Sequence, residues 1–144
     1  MRRTRAELAA LLMKAVRGAG LPLALGEDLY AAAPYLSAED VARIARDIAE
    51  GGTELTRLTL ALDAAEMGEP VPDTTPLAQA LAAARGWRLE DGRKSDTDPP
   101  QPAGPLEITD TLWVALDAYA ARTYVPESEA SRAKGAGAGA IDND

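Results

Sequence analysis

Leucine, isoleucine, valine and alanine recur at three- and four-residue spacing along most of this chain, and glycine or proline interrupts them at short intervals. That period marks one face of a helix, and the interruptions mark its ends. Thr4-Arg5-Ala6-Glu7 reads as a capping box, a hydroxyl and a carboxylate three residues apart that satisfy each other's backbone N–H groups. Leu8, Leu11, Leu12, Ala15 and Val16 then give the inward face of a first helix, which Gly18, Gly20 and Pro22 stop. A weaker helix follows over 23–33, with Leu25, Leu29, Ala32 and Ala33 inward. Ser37 opens a third, whose stripe is Val41, Ile44, Ala45 and Ile48, ended by Gly51-Gly52. Leu55, Leu58 and Leu62 carry a fourth to about Met67. Thr75-Pro76 starts a fifth, with proline at the first helical position, and Gly86 ends it.

The pattern then changes. Trp87-Arg88-Leu89-Glu90 alternates and runs into Asp91-Gly92, a turn signal. Residues 93–105 hold four prolines and little that is apolar, as an exposed loop or linker would. Residues 106–108 read as extended, with 87–90 as their partner strand. Thr109 or Asp110 caps a last helix that turns Leu112, Trp113, Leu116, Tyr119 and Ala120 inward. The fold class expected is mainly α: five or six short helices in an orthogonal bundle, one two-stranded ribbon (87–90 with 106–108), and an extended Gly/Ala tail. The single domain divides into a helical part (1–86), a ribbon and Pro-rich loop (87–108), a last helix (109–125) and a tail (126–144).

Composition sharpens this picture. There is no Phe, aromatics are 4% of the 144 residues, and alanine dominates the apolar set. Alanine forms helices well but buries little area. Such a core is modest for its length, and a partner that covers apolar surface would add to it. The net charge is −8, yet residues 1–20 carry five cations against Glu7 alone. An acidic chain of this kind is repelled by nucleic acid, so none is expected as a partner. Glu7 and Lys14 interrupt the apolar run behind the basic start, so it does not read as a signal peptide. No apolar run is long enough to span a membrane. The expectation is a cytoplasmic protein.

With no Cys and no His, thiol catalysis, disulfides, Cys/His zinc sites and imidazole bases are excluded. No phosphate-loop or dinucleotide fingerprint is present. Neither a cofactor nor a metal is expected. Asp142 and Asp144 carry the oxygen ligands a divalent cation takes, but assembling that site at a chain end costs much entropy. Polar function is densest at Arg122, Thr123, Tyr124, Glu127, Glu129, Ser131 and Arg132. Composition alone reads these as a solvated helix end, and reads Gly135, Gly137 and Gly139 with their alanines as a chain end without fixed structure. Arg17, at the end of the first helix, reads as a cation suited to the negative helix end, with holding an acidic group as the alternative.

KAVRGAGLP (14–22) and LWVALDAYAARTYVPESEASRAKGAGAGAIDND (112–144) resemble the two ends of a bacterial domain-of-unknown-function family, number 3726. The ARTYVP, EASR, GAGAG and DND elements carry the resemblance; residues 23–111 have no counterpart in it. The resemblance implies that the tail is a recurring feature held by something, and it implies no activity. Two functions are expected from these residues. The first is a non-catalytic small subunit or interaction protein of a bacterial enzyme complex, which binds a larger enzyme subunit, or a second copy, through its helical body and tail. The alternative is a small enzyme or binder of an anionic metabolite, with Arg122 and Arg132 on the anion and Tyr124 and Glu129 moving protons.

Overall fold

The computed structural model describes residues 1–123, and within them the chain is mainly α. The helices are α1 (Arg5–Gly18), α2 (Leu23–Ala32), α3 (Ala38–Ala49), α4 (Thr53–Ala65), α5 (Pro76–Ala84) and α6 (Asp110–Ala120). Single 3-10 turns follow α2 at Ala33–Tyr35 and α6 at Ala121–Thr123. Four short strands, β1 (Arg2–Arg3), β2 (Arg88–Glu90), β3 (Arg93–Ser95) and β4 (Leu106–Glu107), make two separate antiparallel pairs.

The caps explain why the helices start where they do. Thr4 Oγ1 accepts from Glu7 N at 3.1 Å, and Glu7 Oε1 accepts from Thr4 N at 2.9 Å. Ser37 and Asp40 repeat this box at α3, at 3.1 and 2.9 Å. Thr75 caps α5 and Thr109 caps α6 through their hydroxyls. Each device satisfies N–H groups that a helix start leaves without a partner.

Helix α1 lies at the centre and packs on both α2 and α6. Its Leu8, Leu12, Ala15 and Val16 are fully buried. Leu29, Leu36, Ile44, Leu55, Leu62, Leu77, Ile108 and Leu116 complete one contiguous core.

The strand pairing departs from the sequence expectation. Residues 88–90 pair not with 106–108 but with 93–95, in the register Glu90↔Arg93 and Arg88↔Ser95. Asp91 (φ 52°) and Gly92 (φ 74°) are both left-handed, which is the backbone a two-residue hairpin turn requires. The other edge of β2 is closed by a side chain. Gln79 Oε1 accepts from Leu89 N at 3.1 Å, and Gln79 Nε2 donates to Leu89 O at 2.7 Å. No edge of β2 remains for β4, which pairs instead with β1 (Arg2↔Glu107, Arg3↔Leu106).

The Pro-rich segment is correspondingly shorter than 93–105, because its first three residues are strand. It is also tethered. Ala103 N donates to Pro34 O at 3.0 Å, and Arg5 Nε donates to Gly104 O at 2.7 Å. The same guanidinium donates through Nη1 to Ala33 O and Leu36 O. One charged group thus joins the start of α1, the turn after α2 and the loop. A lysine gathers its three donors on one nitrogen, whereas here separate nitrogens of the fork reach separate segments. Arg5→Ala is expected to cost about 2 kcal/mol, the scale of hydrogen bonds to a charged group. Limited proteolysis within residues 96–105 should accelerate in the variant; unchanged cleavage would contradict the tether.

Candidate interaction surface

Helix α6 is built for more burial than it receives. Eight of its eleven residues are apolar, yet only Leu116 and Ala120 are buried. Leu112, Trp113 and Tyr119 are half-buried, and Val114 is 65% exposed. Val114 and Ala118 lie four residues apart, so they share the outward face, with the exposed Ala115 and Ala121 beside them. Arginines cover the aromatics on the flanks. The Arg3 guanidinium lies 4.0 Å from the centre of the Trp113 ring, and Arg122 lies 4.7 Å from that of Tyr119.

A groove of about 540 Å³ runs between α6 and α3. Ala38, Ala42 and Ala45 of α3 line one side. Leu112 and Ala115 line the other, and Ile108 lies beneath them. Glu39, Arg46 and Glu107 stand at its rim. On the far side of α3 a second hollow of about 530 Å³ shares Glu39, Ala42 and Arg46 with the first. That hollow is polar, with Ser37, Asp40 and Arg43 in its wall.

Of the residues singled out by sequence, three lie in the described part. Arg17 is exposed near the C-terminal end of α1. Arg122 is exposed in the turn after α6, and Thr123 donates its hydroxyl to Ala120 O at 2.7 Å. The structure brings the two arginine-bearing segments together at Gly18, where a Cβ would come within 3.4 Å of Arg122 Cβ. Tyr124, Glu129, Ser131, Arg132, Gly135, Gly137, Gly139, Asp142 and Asp144 lie outside the described residues, as does Glu127.

Charge elsewhere is spent on the scaffold. Arg43 holds Glu54 with two nitrogens, and Arg57 stands 3.9 Å from the same carboxylate. The hydrogen bonds from Arg43 hold the Glu54 carboxyl below its ordinary value. A carboxylate whose folded value is depressed stabilises the fold above its unfolded value, and loses that contribution as pH falls through the folded one. The wild-type chain should therefore lose stability below about pH 4.5, the ordinary value for a glutamate. Glu54→Gln should flatten that part of the profile, measured as Tm against pH; an unchanged slope would contradict the assignment. Arg85 likewise bridges Asp63 at 2.8 Å and Glu66 at 3.1 Å.

Among the described residues no three potential ligands gather into a metal site, and no helix is long and apolar enough to cross a membrane. No protein-family model, curated protein or solved structure matches this chain.

Proposed function

We propose that the chain is a non-catalytic interaction protein, a small cytoplasmic subunit of a bacterial enzyme complex that binds a larger partner through α6 and residues 124–144. One observation carries this reading: an apolar last helix with two buried residues leads directly into that segment. An apolar surface that the chain's own core leaves uncovered gains by being covered. Backbone rich in Gly and Ala suits a narrow groove on a partner, where only main chain fits.

The test is a tagged pull-down from native-host lysate with three chains: full length, a chain ending at Thr123, and Val114→Asp. The expected result is a stoichiometric larger protein captured by the first and lost from both others. Equal capture by all three, or capture by none, would overturn the proposal. Circular dichroism of Val114→Asp should match the parent, because the residue is exposed.

The contact of Gly18 with Arg122 favours a second reading, in which an anionic metabolite binds where two cationic segments meet. Tyr124, Glu129 and Arg132 would complete that site. A thermal-shift screen of anionic metabolites, with Arg122→Ala as control, tests it. A shift abolished by the substitution would support this reading, and no shift would dismiss it.

A further inference from the structure

Helix α3 stands as a ridge between its two hollows, and Glu39, Ala42 and Arg46 face both. Glu39 and Arg46 are both exposed and seven residues apart, so they share a face about 10.5 Å apart along the axis. Neither has an ion-pair partner among the described residues, whereas nearby Arg43 is held within the chain by Glu54. Between them the ridge is low, because Ala42 has a single methyl group. The apolar groove beside it, about 540 Å³, is walled on the α3 side by Ala38, Ala42 and Ala45, whose small side chains let a ridge of this kind approach closely.

We propose that this groove is occupied by α3 of a second copy of the chain, the two helices crossing antiparallel about a two-fold axis near Ala42 and Arg43. Charge complementarity favours this occupant. Rotation about that axis sets Glu39 of each copy against Arg46 of the other, twice over. A parallel arrangement would set like charges together. A surface with opposite charges equidistant from a small residue is its own complement, which is what a two-fold interface requires. The negative charge of each copy opposes association, and salt near 0.15 M screens that repulsion over about 8 Å while sparing close pairs. Helix α6 contributes the far wall of this groove through Leu112 and Ala115, while a larger partner would use its outward face at Val114.

Sedimentation equilibrium of the full-length chain at 0.15 M salt tests it. The expected species has twice the 15.1 kDa mass of one chain. Glu39→Arg alone places arginine against arginine, and Arg46→Glu alone places glutamate against glutamate. Each should weaken the dimer by about tenfold or more. Mixing these two variants should restore association, because the mixed pair regains both contacts. Both positions are exposed, so circular dichroism should show the fold intact. A monomer at every concentration up to about 1 mM, a dimer indifferent to the single reversals, or a mixture that stays dissociated would each overturn the proposal. None of these outcomes bears on capture of a larger partner through Val114.

Discussion

Gly18→Ala lowers the stability of the fold by about 3 kcal/mol, although glycine-to-alanine in a helix ordinarily raises it by about 1 kcal/mol. The sign follows from what Gly18 touches. A Cβ built on it would lie 1.7 Å from Tyr119 O and 2.7 Å from Tyr119 C. Those are backbone atoms of α6 and cannot rotate aside as a side chain can. The helix must move off α1, and Leu116 and Ala120, its two buried residues, move with it. For a chain of this size, 3 kcal/mol corresponds to a fall in Tm of about 10 °C. Gly104→Ala is the matched control, because a Cβ there meets nothing within 4 Å and the backbone is not left-handed. It should leave Tm unchanged to within about 2 °C. A Gly18→Ala variant as stable as the parent would show that α1 and α6 are not so closely apposed.

Asp47→Ala is expected to cost a similar amount, about 3 kcal/mol, through a different mechanism. Asp47 belongs to α3 but caps α4. Its Oδ1 accepts from Glu54 N at 3.0 Å and its Oδ2 from Leu55 N at 2.8 Å. The residue before α4 is Gly52, which has no side chain to perform that task. Asp47 is only 6% exposed, so removing it leaves one buried and one part-buried donor without partners. Asp47→Asn keeps one acceptor and sets an amide NH₂ against the other N–H, so it should be destabilised too, by less. Hydrogen exchange at Glu54 and Leu55 distinguishes this capping role from a general loss of packing. Both amides should exchange faster in Asp47→Ala while that of Ile44, in the middle of α3, follows global stability alone. Equal loss of protection at all three would contradict the capping role.

These two residues mark where sequence reading stops. The helix starts were legible because their determinants are local: Thr4 with Glu7, Ser37 with its α3 start, Thr75 with Pro76, and Thr109. The left-handed Asp91-Gly92 turn was legible for the same reason. Strand partners were not, since the second edge of β2 is taken by Gln79, a side chain of the preceding helix ten residues away. Asp47 reads in sequence as an ordinary charged position on a helix. One signal pointed to it: it falls beside Ile44 and Ile48 on the buried side, where an acid needs a partner. Gly18 reads as a helix stop, and only the approach of α6 gives it a second role.

The candidate surfaces divide in the same way. That Arg17 and Arg122 belong to neighbouring segments follows from the packing of α6 and its closing turn on α1, which no local signal in the sequence announces. The groove was not legible, because it exists only where α3 and α6 come together across some sixty residues of chain. The thin burial of α6 was concealed as well. The five residues its periodicity turned inward all pack on the core, but three of them stay half-buried, and Val114 on the outer face is left exposed. The apolar surface that helix leaves exposed is the physical basis for proposing a larger partner.

The native size of the protein in host lysate tests that assignment most directly. Gentle lysis, gel filtration and immunodetection of the untagged chain would report it without overexpression. The account predicts elution well above the mass of two 15.1 kDa chains, shifting down to the free protein when Val114→Asp replaces the parent in the host. Elution of the parent only at the mass of one or two chains would contradict it.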